Sequence, residues 1–98
     1  MLLGTGYDID KQSSNRNDTA LICAARDNDR EIVEFLLDYG ADEFLLNYEN
    51  KSFYDYLDDD NKKYFIHRYP TSVYNAISNK YKKSFTEFVK DYNIKNNK

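Results

Sequence analysis

Asp58-Asp59-Asp60, His67 and Cys23 are the side chains of this 98-residue chain with the most chemistry to offer. Three consecutive carboxylates invite a divalent cation. A calcium loop, however, alternates its oxygen ligands, bends on a glycine and closes with a distal Glu. None of that spacing is present, and the run reads as a solvated turn at a helix end. His67, beside Arg68, would need a nucleophile and an oxyanion loop to serve as a general base, and the sequence offers neither. Cys23 sits between Ile22 and Ala24 and reads as a buried structural thiol. One Cys and one His do not make a zinc site, one Cys makes no internal disulfide, and three glycines hold no phosphate-cradling loop. The expectation is a non-catalytic chain without metal or cofactor.

The C-terminal end offers a different chemistry. Lys80, Lys82, Lys83 and Lys90 alternate with Tyr81, Phe85, Phe88 and Tyr92. Lysines of this kind neutralise phosphates while the rings stack on bases. The aromatics fall at helical spacing, which favours a packed stripe with the lysines solvated. Binding of nucleic acid or an acidic partner by residues 80–90 stands as the alternative reading.

Charge separates along the chain. Residues 1–60 carry 15 acidic and 5 basic side chains, a balance of −10, whereas residues 61–98 carry 2 and 9, a balance of +7. Such polarity steers partners or marks two different segments. Mean hydropathy is −0.87. No apolar run is long enough to cross a bilayer, and Met-Leu-Leu-Gly-Thr-Gly at the start lacks the basic and apolar regions of a secretory signal. With a lone thiol that suits a reducing compartment, the expected location is intracellular, in the cytoplasm, without membrane contact.

Two back-folded helices account for the apolar grouping between Thr19 and Asp42. Thr19 can cap a helix over 20–28 that buries Leu21, Ala24 and Ala25. Asp27-Asn28-Asp29 breaks the pattern with turn formers. A second helix over 30–39 would bury Ile32, Val33, Leu36 and Leu37, and Gly40 stops it. The pattern repeats at an offset of 33, which sets Asn17 on Asn50 and Thr19 on Ser52. Upstream, Leu2-Leu3-x-x-Gly6-x-Asp8 matches Leu36-Leu37-x-x-Gly40-x-Asp42 at an offset of 34. Asn17 and Asn50 suit turns with positive φ. Downstream, Ser52 to Leu57 forms a short helix, residues 58–61 break it, and 62–69 form another that buries Phe65 and Ile66. Pro70 ends that helix. Thr71 or Ser72 would cap a further one carrying Val73, Ile77 and Tyr81. Ser84-x-x-Glu87 opens the last, with Phe85, Phe88, Val89 and Tyr92 on one side, and residues 93–98 fray.

Thr19-Ala20-Leu21-Ile22-Cys23-Ala24, with Ala25, Ile32-Val33, Leu36-Leu37 and Gly40-Ala41-Asp42, resembles an ankyrin repeat. Ala20 stands for the family's Pro, Ile22 for its loop-linking His and Asn28 for its inter-helix Gly. The resemblance implies an all-α solenoid of helix-turn-helix units joined by short hairpin loops. Residues 1–15 would be the end of one repeat, 16–48 a complete repeat, 49–69 a divergent terminal repeat, and 70–98 a helical extension that packs as a cap. The Asn, Lys and Tyr bias resembles arrays of large DNA viruses and AT-rich protists. The resemblance further implies a protein-binding scaffold, using the projecting loops and the exposed side of the first helices. Carried over residue by residue, the loop positions are Asn15, Arg16 and Asp18, then Leu46, Tyr48, Glu49 and Lys51. The helix-surface positions are Arg26 and Asp27, with Asp59 and Asp60 in the last unit. Tyr48 is the expected anchor. Repeat arrays need neighbours and capping ends, so the N-terminal side should leave Leu21, Ile32 and Leu36 poorly covered. A fragment of a longer array, a truncated remnant and self-association through that side are the three readings of it.

Overall fold

Capping side chains set where the helices begin. The Thr19 hydroxyl accepts from the Ile22 N–H at 3.1 Å and starts α1, Ala20–Arg26. The Asp29 carboxylate accepts from the Ile32 N–H at 3.2 Å and starts α2, Arg30–Asp38. Ser52 opens α3, Phe53–Tyr56, with Asp55 accepting from the Ser52 N–H at 2.9 Å. Asp58 accepts from the Asn61 N–H at 2.9 Å and opens α4, Asp59–Arg68. Pro70 is the first residue of α5, Pro70–Ile77, and Ser84 caps α6, Phe85–Asp91. The computed structural model describes residues 9–94, and these six helices, with no strand, are the regular elements among them.

Asparagine makes the turns. Asn17, Asn28 and Asn50 take φ of 59°, 58° and 64°, a region Asn enters at lower cost than most side chains. Gly40, at φ 89°, ends α2. There the N–H groups of Gly40 and Ala41 return to the carbonyls of Leu37 and Leu36, both at 3.0 Å.

The helix pairs stack. α1 packs on both α2 and α3, and the small Ala24 and Ala25 allow that close approach. One apolar core runs from Leu21, Ala25 and Val33 through Phe53, Phe65 and Val73 to Phe88. Polar links fasten α2 to α4. The Asn28 amide donates to Asp58 at 2.6 Å, and its oxygen accepts from the Asp58 N–H and the Asn61 amide, both at 3.0 Å. Arg30 donates to Asn61 at 2.7 Å. Glu34 accepts from the Tyr64 hydroxyl and from Arg68 at 3.1 Å. The hydrogen bond from Tyr64, with help from Arg68, outweighs burial and holds the Glu34 carboxyl below its ordinary range.

Several expectations are corrected. Cys23 is exposed, not buried, because α1 turns its Leu21, Ile22, Ala24 and Ala25 inward and leaves position 23 outside. Ile32 is exposed, in line with the poor cover expected on the N-terminal side rather than with burial in the second helix, and Leu37 is only half-buried, while Leu21 and Leu36 are well covered. α4 starts at Asp59 rather than 62, since Asp58 caps it and Asp59 and Asp60 favour the positive end of a helix. α5 starts at Pro70, whose missing N–H is no loss in a first turn. The matching Leu2 to Asp8 segment and the last four residues lie outside the described residues.

The C-terminal helices cover the end of the stack. Phe88 is fully buried, with Tyr74, Tyr81 and Tyr92 at ring-centroid distances of 5.3, 5.7 and 5.1 Å. The Lys80 ammonium lies 3.2 Å from Asp55 of α3. No helix among the described residues is long and apolar enough to cross a membrane.

Candidate protein-binding surface

Two equivalent turns project side by side ahead of α1 and α3. In the first, the Ser13 N–H donates to the Asp18 carbonyl at 2.9 Å, and the Ser13 hydroxyl accepts from the Asp18 N–H at 3.1 Å. In the second, the Asn47 N–H donates to the Lys51 carbonyl at 3.1 Å, and the Asn47 side chain accepts from the N–H groups of Glu49 and Lys51 at 3.0 and 3.1 Å. The Tyr48 N–H donates to the Arg16 carbonyl at 2.9 Å, joining the turns. The Gln12 amide also spans them, donating to the carbonyls of Asn17 and Leu46, both at 2.9 Å.

Asp18 is the hub, with a side chain only 2% exposed. One carboxylate oxygen accepts from Arg26 and, at 3.1 Å, from Arg16; the other accepts from the Asn47 amide at 2.9 Å. Burial opposes its ionisation, but the bonds from Arg26, Asn47 and Arg16 outweigh that and hold the carboxyl below the usual range. Charge-assisted bonds of this kind are the strong ones. Around the hub, Asn47 also donates to the Tyr56 hydroxyl, which donates to Glu49, both at 2.7 Å. The Arg16 guanidinium lies 5.0 Å from the centre of the Tyr48 ring and 3.6 Å from Glu49. Arg26 and Lys51 sit 5.8 and 5.5 Å from the centre of the Tyr56 ring.

The structure thus brings Arg16, Asp18, Arg26, Tyr48, Glu49 and Lys51 to one place. Tyr48 is widely exposed. Asn15, Asp27 and Lys51 are exposed and Leu46 is half-buried. Asp18 lies beneath this surface and positions it. Asp59 and Asp60 lie in the first turn of α4, because α3 spans only four residues and the carried-over offset overshoots it. Sequence reasoning passed over Gln12, Asn47 and Tyr56. Tyr56 falls 33 residues after the exposed Cys23, so the repeat offset marks it as an outward position.

A titration isolates the hub. The Asp18 carboxyl has a folded-state pKa below its unfolded value of about 3.9. Its contribution to stability is therefore present above pH ~4 and is lost as pH falls through the folded value. Asp18→Asn is expected to melt lower than wild type at pH 6, with the gap closing towards pH 3. Thermal melts of both proteins across that range check it, and parallel curves would show that Asp18 is not the hub.

Other features are less organised. A shallow groove of about 250 Å³ lies among Tyr54, Asp55, Ile77, Lys80, Tyr81 and Tyr92. Its charges are matched internally by the Lys80–Asp55 pair. Among the described residues no three His, Cys, Asp or Glu side chains could hold a metal ion together. In the basic segment, Phe88 is committed to the core, Lys80 pairs with Asp55, and Lys83 pairs with Asp91.

Residues 16–51 match the family model described as Ankyrin repeat. No curated protein matches the chain, and no solved structure matches it.

Proposed function

We propose that this chain, an ankyrin-repeat protein over residues 16–51, holds a protein partner on the surface formed by its two projecting turns and the exposed side of α1. Ankyrin repeats as a family mediate protein–protein interaction. The finer reading rests on one observation: Tyr48 stands exposed between turns that Asp18 and Asn47 hold rigid from below. A surface fixed before contact loses less entropy on binding. A large ring with a polar tip, stacked on Arg16, has the character of an interface anchor. Residues 49–69 serve as a divergent second unit, which supplies Glu49, Lys51 and Tyr56 to the same surface. The chain works as a scaffold without catalysing a reaction.

The test is capture of a partner by Tyr48→Ala combined with Arg16→Ala. The double variant is expected to bind about ten-fold or more weakly while keeping a wild-type circular-dichroism spectrum, since Asp18 retains Arg26 and Asn47. Undiminished capture would mean that the partner docks elsewhere.

A further inference from the structure

The surface of the two turns holds more hydrogen-bond donors than it has acceptors for. Residues 1–60 carry 5 basic side chains against 15 acidic ones, yet three of the five, Arg16, Arg26 and Lys51, stand here against the rings of Tyr48 and Tyr56. The acceptors beside them are engaged. Both oxygens of the buried Asp18 carboxylate are taken, by Arg26, Arg16 and Asn47. Glu49 accepts from the Tyr56 hydroxyl at 2.7 Å and faces Arg16 at 3.6 Å.

The donors are not engaged to the same extent. Arg26 uses only Nη1, on Asp18. Its Nε–Nη2 edge carries two parallel N–H bonds. That edge donates to nothing among the described residues, and 37% of the side chain is exposed. The exposed Lys51 ammonium forms no ion pair among the described residues. Both cations border one ring, 5.8 and 5.5 Å from the centre of Tyr56. Asp27 is also exposed there, but the side chains that act on the Arg26 guanidinium are Asp18, Arg16 and Cys23. A guanidinium edge with two parallel N–H bonds matches the two oxygens of a carboxylate.

We propose that the partner of this surface is acidic. A carboxylate side chain of a peptide segment seats over Tyr56 and takes both N–H bonds of the Arg26 edge, with Lys51 as the second cation. This rests on the docking surface proposed above and names its partner's chemistry. Charge complementarity of this kind selects among partners and speeds encounter.

Two blocked octapeptides, one alternating Glu with Ser and one alternating Gln with Ser, test this when titrated at low salt into the isotope-labelled full chain. In nuclear magnetic resonance spectra the Glu peptide is expected to move the Arg26 Nε–H signal and the backbone signals of Lys51 and Tyr56, saturating at millimolar concentration. The Gln peptide should move none of them. Lys51→Glu should weaken the Glu peptide about ten-fold. Arg26→Lys keeps a charge for Asp18 but loses the two-bond edge, and should weaken it by a smaller factor. Lys82→Glu with Lys90→Glu should bind as wild type does. Lys51→Gln replaces Lys51→Glu should the latter fail to show a wild-type circular-dichroism spectrum. Equal binding of the two peptides, no binding of the Glu peptide, or a Lys51→Glu chain that binds like wild type overturns the proposal. Signals that move between Lys80 and Lys90 in place of Arg26 do so too, since they put the acidic contact on the C-terminal helices. The docking surface is judged separately. A partner lost by the Tyr48→Ala, Arg16→Ala variant but kept by Lys51→Glu retains that surface and removes only its acidic contact.

Discussion

Phe65→Ala is expected to destabilise the chain by about 3–5 kcal/mol, the largest effect of any single truncation considered. Phe65 is fully buried in α4, with the Phe53 ring of α3 at 6.4 Å and the Tyr69 ring at 5.6 Å. The ring therefore ties α3, α4 and the start of α5 into one core. α3, with four residues, has almost no helical stability of its own and depends on that packing. A domain of this size has a total stability of about 5–15 kcal/mol, so the melting temperature should fall by roughly 15 °C or more. Phe65→Leu keeps most of the volume and should cost much less. Phe85→Ala, at a part-exposed ring, should shift the melt by only a few degrees. Thermal and urea denaturation followed by circular dichroism check all three. A Phe65→Ala melt within two or three degrees of wild type would mean that α3 and α4 do not share a core.

The sequence made visible what local chemistry determines. Thr19, Ser84 and Gly40 act within one turn of chain, and each stands where its side chain or its lack of one requires. Asn17 and Asn50 were legible for the same reason, since positive φ is a property of the residue and its turn. The ankyrin match at 16–51 falls where that local signal is densest. Illegible were the features that depend on who packs against whom. Ile22 and Cys23 are both apolar by composition, and only the position of α3 decides that the first is buried and the second exposed. Ile32 and Phe35 belong to an apolar pattern that encircles more of α2 than its partners cover. Asn47 and Tyr56 enter the candidate surface through hydrogen bonds to Asp18 and Glu49 that no periodicity encodes. Asp58, Asp59 and Asp60 are exposed at a helix end, as the sequence suggests, but the capping role of Asp58 depends on where α4 begins, and its second role depends on Asn28, thirty residues away.

Asn28→Gly is expected to destabilise the chain, although glycine is the residue the family pattern places at this turn and although φ is 58° there. On backbone grounds alone, glycine at positive φ removes strain. The side chain argues the other way. Asn28 accepts from both the Asp58 N–H and the Asn61 amide and donates to the Asp58 carboxylate. Asn61 is buried, so losing the Asn28 oxygen leaves its amide only the longer, 3.4 Å bond to the Asn28 carbonyl, and a poorly satisfied buried group costs about 1–3 kcal/mol. Relief of strain offsets part of this, leaving a net loss on the order of 1–2 kcal/mol. Asn28→Ala loses the same bonds without the relief and should melt lower still. In an Asn61→Ala background the Asn28→Gly effect should shrink sharply, because residues of one hydrogen-bond network do not act additively. Melting curves of the four proteins of that cycle decide between the two forces. If Asn28→Gly raised the melting temperature, the backbone would dominate. The link between α2 and α4 would then rest on Arg30 with Asn61 and on Glu34 with Tyr64 and Arg68, and not on this asparagine.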